Sequence, residues 1–95
     1  MKTISLGKYS PIISDKDSGD EIFASIKDAL SSEGPVTIDM AGIKSMATFC
    51  AKQIFGMLYL EIGSIDFFHR LIFVNTPEDL KSIIKVGVQN AIEEK

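Results

Sequence analysis

The sequence predicts an α/β fold, a small sandwich of a mainly parallel sheet and three main helices. Short strand-like segments alternate with longer segments whose apolar residues recur at helical spacing, in the order β, α, β, α, β, α. The connections are only a few residues long, and parallel neighbours require helical crossovers. The 95 residues suffice for one core, so we expect a single domain over residues 1–95.

The first strand and helix are predicted from alternation and a capping motif. Apolar and polar residues alternate from Lys2 to Leu6, and Pro11 begins a polar loop. Ser18, followed three residues later by Glu21, predicts a capping box at the start of the first helix. Gly34 is predicted to stop that helix. Its apolar stripe consists of Ile22, Phe23, Ile26, Ala29 and Leu30.

The remaining elements follow from apolar runs and from a second helix-start motif. We predict a buried strand from Pro35 to Met40, with the proline at its start, a helix from about Thr48 to Ile62, and a strand from Leu71 to Val74. Thr76 is predicted to cap the last helix, with Pro77 at its first position. The stripe of this last helix is Leu80, Ile83, Ile84, Gly87, Val88 and Ala91.

Composition excludes several classes of function. The net charge is −3 with acids and bases mixed along the chain, which predicts no nucleic-acid partner. No apolar run approaches the ~20 residues that span a bilayer, so we expect no membrane insertion and a cytoplasmic protein. One cysteine and one histidine do not make a metal-ligand set, and we predict neither metal nor cofactor.

Three side chains are candidates for chemistry, and none has the partners that catalysis requires. Cys50 lies near a helix start, where a thiol pKa can be lowered, but the helical projection places it at the edge of the buried face. His69 precedes its strand, so it lies at the sheet edge opposite Thr48. Asp39 ends a strand without a second acid or a histidine, and we expect it to accept hydrogen bonds from the following turn. We therefore predict that the chain is not an enzyme; a thiol enzyme using Cys50 is the third-ranked alternative.

The outer face of the second helix is unusually apolar. A chain of this length offers little to cover that face, so we predict a protein interface there, in a homodimer or a heterocomplex. Gly56 in mid-helix costs about 1 kcal/mol relative to alanine, which is consistent with close approach of another surface. The predicted interface consists of Phe49, Lys52, Gln53, Gly56, Met57 and Leu60, with Tyr59 on the same face.

Three blocks of the sequence resemble a known family. They are "SGDEIFASI", "VTIDMAGIKSMATFCAKQIFGML" and "RLIFVNTPEDLKSIIKVGVQNAI". Together they resemble the bacterial STAS-like domain family of unknown function, which is related to the STAS domains of anti-sigma-factor antagonists. The resemblance implies a STAS-like α/β sandwich and a regulatory protein-interaction module without catalysis of its own.

In anti-sigma-factor antagonists, the turn after this strand carries a serine that a GHKL-type kinase phosphorylates. Counting from Asp39 places Thr48 on that serine, so the resemblance implies a phosphorylation switch at Thr48 and a GHKL-type kinase or ATPase as partner. This chain has Ala47 where the family has an acid, and Phe49 where it has a second small residue. Two alternatives stay open: Thr48 caps the helix, or the turn 45–50, including Ser45, binds an anion or nucleotide.

Overall fold

A computed structural model describes residues 2–95. The strands are β1 (Lys2–Ser5), β2 (Ile12–Ile13), β3 (Val36–Asp39), β4 (Ser45–Met46) and β5 (Leu71–Val74). The helices are α1 (Lys16–Leu30), α2 (Thr48–Ala51), α3 (Met57–Arg70) and α4 (Glu78–Glu93), with a π-helical turn, Lys52–Gly56, joining α2 to α3. The predicted α/β class, the parallel sheet and the three main helices are confirmed, because α2, the π turn and α3 continue one another.

The main sheet has three parallel strands in the order β1-β3-β5. In its register Ile4 lies beside Ile38, which lies beside Phe73. Val36 and Ile38 are buried, whereas Thr37 and Asp39, which point to the opposite face, are half-buried. The helices therefore cover one face of a two-layer structure, and the other face remains open.

A second, two-stranded sheet was not predicted. Strands β2 and β4 pair in parallel, with Ile13 opposite Met46, and the Ala47 amide donates to the Ile13 carbonyl at 2.8 Å. Each of these short strands leads into a helix within three residues. The pairing consequently places the first turns of α1 and α2 next to each other.

The predicted helix starts are wrong in detail. Helix α1 begins at Lys16, and Asp15 is its cap: the Asp15 carboxylate accepts from the Ser18 amide at 2.9 Å and from the Ser18 hydroxyl at 2.8 Å. The predicted capping box at Ser18 and Glu21 therefore does not form. Helix α4 is capped at Pro77, and the Thr76 hydroxyl donates instead to the Val74 carbonyl at 3.0 Å.

Helix α1 ends at Leu30 with Ser31 as its C-cap, close to the predicted end, but Gly34 lies three residues beyond that cap and is not the residue that stops the helix. Arg70, at the end of α3, donates to the carbonyls of Leu30, Ser32 and Gly34. A guanidinium group near a helix C-terminus satisfies carbonyls that lack helical partners. This contact joins residues 40 positions apart in the sequence and could not be predicted from the local pattern.

The long helix is interrupted at Gly63, whose backbone has φ 86°. The predicted helix end at Ile62 is therefore followed by a sharp kink, and a further helical segment continues to Arg70. Beyond the kink, the Phe67 and Phe68 rings return to lie against Tyr59, with ring centroids 5.4 and 6.1 Å away.

Candidate functional site

The start of α2 holds the predicted switch residue. Thr48 is the first helical residue and is exposed, whereas the cap position is occupied by Ala47, whose side chain cannot accept a hydrogen bond. The predicted Thr48 cap is therefore wrong. The amides of Cys50 and Ala51 donate to the Ala47 carbonyl, at 3.0 and 3.1 Å. The Thr48 and Phe49 amides, in the first turn, have no helical acceptor.

The neighbouring helix start contributes a negative charge beside this turn. The Asp15 carbonyl accepts a hydrogen bond from the Cys50 thiol, with Sγ and O 3.5 Å apart. The Ser18 hydrogen bonds stabilise the Asp15 carboxylate and lower its pKa. The turn 45–50 is thus flanked by a carboxylate that stays ionised at neutral pH.

Cys50 is fully buried, whereas the helical projection placed it at the edge of the buried face. Burial, together with the charge of Asp15, raises the pKa of the Cys50 thiol. A protonated, inaccessible thiol is a poor nucleophile. Cys50 therefore contributes to the core, and the arrangement gives no support to a thiol enzyme.

The predicted outer face of the long helix is largely covered by the chain itself. Gly56 is buried: a β-carbon there would lie 2.8 Å from the Gly87 carbonyl oxygen of α4. Gln53 is bound to α1, since its side-chain amide donates to the Lys16 carbonyl at 3.0 Å and to Asp20 at 2.6 Å. Lys52 forms an ion pair with Glu94. The expectation that this face lacks cover is wrong for these three residues.

What remains exposed is a smaller surface, which we call the Thr48 face: Thr48, Phe49 and Met57. The Phe49 side chain is 54% exposed and Met57 is 41% exposed. Leu60 and Tyr59 are half-buried. The apolar character of the helix thus persists at its first turn and again two turns later, with Gln53 between them.

Asp39 behaves as predicted. Its Oδ1 accepts from the Ala41 amide at 3.0 Å, which confirms the turn interaction, and also from the Asn75 side chain at 2.9 Å. These bonds lower the pKa of the Asp39 carboxyl group. They link the ends of β3 and β5, so Asp39 stabilises the sheet edge. Ser45 is half-buried in β4 and pairs with Ile12.

Sequence reasoning missed a groove of about 660 Å³ beside β5. Three elements form it, namely α3 beyond the π turn, β5 and α4. The residues that line this groove are separated by up to 33 positions in the sequence, so no local motif indicates the groove. The apolar residues near Phe67 and Phe68 were the only feature of the sequence that pointed to it. The β5 groove is lined by Tyr59, Phe67, Phe68, Leu71, Phe73, Lys81, Ile84, Lys85, Val88, Gln89 and Ile92.

Within residues 2–95, no group of three or more His, Cys, Asp or Glu side chains is placed to hold a metal ion. The helices of that same range are too short or too polar to cross a membrane.

Comparison with known proteins identifies one family. A search of curated proteins and a search of solved structures each find no match. The family model described as the STAS-like domain of unknown function (DUF4325) matches residues 18–81, about two thirds of the chain. The matched segment contains most of α1, together with β3, the turn 45–50, the long helix and β5. On this match and on the α/β architecture that agrees with it, the chain belongs to the family of STAS-like domains of unknown function.

Proposed function

We propose that the chain is a non-catalytic regulatory module that binds a protein partner through the Thr48 face. The observation that carries this proposal is an exposed hydroxyl at the first residue of a helix, directly followed by an exposed aromatic side chain. A large apolar side chain left in water at the end of a rigid helix is the kind of group that interfaces bury. The surface is smaller than the sequence predicted, since Gly56 and Gln53 are engaged within the chain.

Phosphorylation of Thr48 is the proposed switch. A GHKL-type kinase would transfer the γ-phosphoryl group of ATP to Thr48 Oγ1, with release of ADP and the hydroxyl proton. The phosphate would add about two negative charges beside Phe49 and oppose burial of that face. First-turn amides favour a phosphate here, and the Asp15 carboxylate opposes one. We expect phosphorylation to release the partner.

The interface is tested with matched exposed apolar positions. Phe49→Asp and Val86→Asp each introduce a carboxylate at an exposed site, on α2 and on α4 respectively, so both variants are expected to fold. Proteins captured from an extract of the source organism by wild type and by Val86→Asp should include a partner that Phe49→Asp loses. Capture of the same proteins by all three would place the interface elsewhere.

The switch is tested on the captured partner. Incubation with ATP and a kinase found among the captured proteins should add one phosphate to wild type and to Thr48→Ser, and none to Thr48→Val. The phosphorylated protein should bind the partner more weakly than the unmodified protein. Phosphate addition to Thr48→Val would assign the modification to another residue.

Anion or nucleotide binding at the turn 45–50 is the second candidate. The pairing of β2 with β4 favours it, because two helix N-termini lie next to each other. The Asp15 carboxylate at the cap of α1 disfavours it. A rise in thermal midpoint with phosphate or nucleotide concentration, absent in chloride of equal ionic strength, would support this function.

A further inference from the structure

The β5 groove is open because the sheet and the helix layer both end there. Strand β5 is an edge strand, so no further strand or crossover helix lies beyond it among residues 2–95. Helix α4 is held against α2 and the π turn by its small residues Gly87 and Ala91. The kink at Gly63 turns the last part of α3 back on itself. A gap bounded by α3, β5 and α4 results.

One side of the groove is aromatic. Tyr59, Phe67 and Phe68 form a cluster in edge-to-face contact, with ring centroids 5.4 to 6.1 Å apart. Phe68 is nonetheless 68% exposed, and Ile92 on the opposite side is 39% exposed. Such a concave apolar surface gains free energy when a ligand displaces the water from it.

The other side carries the charge. Lys81 and Lys85 lie one turn apart on α4, and both line the groove. Lys81 is 3.7 Å from the exposed carboxylate of Glu78, whereas Lys85 forms no ion pair with any residue that the structure describes. At the far end of the groove, Gln89 donates to Glu93 at 2.9 Å. Glu93 itself does not line the groove, so the groove is cationic toward the start of α4 and neutral toward its end.

These features define the ligand. We propose that the β5 groove binds a small amphipathic carboxylate, whose apolar body lies between the aromatic cluster and α4 and whose anion pairs with Lys85 and Lys81. The volume of about 660 Å³ lies within the range of small-molecule sites, roughly 300–1,000 Å³. From Lys81 to Ile92 the helix extends about 16 Å, a length suited to a medium-chain acyl group.

A second copy of the chain fits the groove less well than a small molecule. In a two-fold dimer the same surface meets itself, so Lys81 and Lys85 of both copies would share one interface. Like charges brought together oppose association. This site is also separate from the Thr48 face, and its test does not depend on a protein partner.

Binding is measured by titration calorimetry with dodecanoate, below its micelle concentration. The matched probe is dodecyltrimethylammonium, which has the same apolar chain and the opposite charge. Dodecanoate should bind one to one and more tightly than the cationic probe, and the affinity should fall with added salt. Equal affinity for the two amphiphiles would overturn the proposal, because it would show apolar adsorption without charge recognition.

Variants locate the site. Lys85→Gln should weaken dodecanoate binding by up to about fivefold, the effect expected of one partly exposed ion pair, whereas Lys44→Gln, at an exposed lysine outside the groove, should leave it unchanged. Val88→Trp should fill the groove and abolish binding. Phe68→Ala, at a largely exposed position that tolerates truncation, should weaken binding even if Val88→Trp does not fold. Unchanged binding by both Lys85→Gln and Phe68→Ala would refute the site.

Two further measurements separate the small ligand from other occupants. Sedimentation with phosphatidylglycerol vesicles tests a membrane surface, and analytical ultracentrifugation tests a second copy. We expect no vesicle binding that depends on Lys85, and no dimer that Phe68→Ala dissociates. Vesicle binding that depends on Lys85, observed in place of dodecanoate binding, would assign the groove to a membrane and overturn the proposal. A dimer that Phe68→Ala dissociates would assign it to self-association and overturn the proposal as well.

Discussion

Replacing Gly87 with alanine tests the crossing that brings α4 against the long helix. The added β-carbon would lie 2.5 Å from the Ala51 carbonyl carbon, 2.6 Å from the Lys52 nitrogen and 2.7 Å from the Ala51 β-carbon. Unbonded carbon atoms ordinarily approach to about 3.5–4.0 Å. Two of the three atoms are backbone, so a side-chain rotation cannot relieve the overlap. The helices must separate by about 1 Å or the backbone must distort.

The expected loss of stability follows from two opposing effects. Overpacking of a rigid contact costs typically 1–3 kcal/mol, and a backbone contact favours the upper part of that range. Alanine in place of glycine recovers about 1 kcal/mol of helix propensity. The free energy of unfolding should therefore fall by about 2 kcal/mol. For a domain of this size that corresponds to a decrease in Tm of roughly 8–16 °C.

Urea unfolding followed by far-UV circular dichroism measures this difference. Ser82→Ala, at an exposed position on the same helix, is the propensity control and should not destabilise the protein. Gly19→Ala is the steric control: its β-carbon would lie 2.2 Å from Gln53 Oε1, at the end of a flexible side chain. It should cost less than Gly87→Ala. If Gly87→Ala were as stable as wild type, the crossing would not be as close as described.

Two further predictions concern ionisable groups. Cys50 should react slowly with iodoacetamide in the native protein at neutral pH and rapidly in urea, because burial and the charge of Asp15 raise the pKa of its thiol. The extent of labelling is measured by intact-protein mass spectrometry, and fast labelling of the native protein would contradict the place of Cys50 in the core. Asp39→Ala should destabilise the protein at neutral pH, since a carboxylate with a lowered pKa stabilises the fold above its unfolded pKa of about 3.9. That stabilisation is lost as the pH falls through the lowered pKa. The difference in free energy of unfolding between wild type and Asp39→Ala, measured by urea titration at several pH values, should therefore shrink in acid. A difference that does not change with pH would exclude an electrostatic origin.

The order of the main elements was predictable because the spacing at which apolar residues recur along the chain is a local property of the sequence. Strand β5 was predicted with its observed limits, Leu71 to Val74, from an apolar run too short for a helix. Cys50, Ile54 and Leu58 were placed on a buried face by helical projection, and all three are fully buried. In these segments local preference and tertiary packing agree.

Helix starts were less predictable because several polar residues compete for one cap. Asp15 and Ser18 are both good caps, and the sequence alone does not rank them. The pairing of β2 with β4 ends at Ile13, and α1 begins three residues later, at Lys16. Asp15 then holds the extended backbone that a cap requires, and Ser18 becomes its hydrogen-bond donor. A long-range contact thus decided a local feature.

The π turn explains the largest error about the site. Projection at 3.6 residues per turn placed Gly56 opposite Ala51, on the outer face. In a π turn, residues five positions apart lie on the same side, so Ala51 and Gly56 both face Gly87. The single-helix pattern contained no sign of this change of period. It accompanies the contact with α4, which lies more than 30 positions away in the sequence.

The same crossing separates the two surfaces to which we assign function. The Thr48 face lies at the start of the long helix, and the β5 groove uses Tyr59, about 16 Å further along the same helix. Between the two surfaces, Gly56 packs against Gly87 and Ala91 of α4. Lys85, on the same helix α4, lines the groove. Phe49→Asp and Lys85→Gln are therefore expected to act independently, the first on partner capture and the second on dodecanoate binding. If either variant altered both readouts while the free energy of unfolding stayed unchanged, the two surfaces would be coupled, either along the long helix that they share or through its crossing with α4.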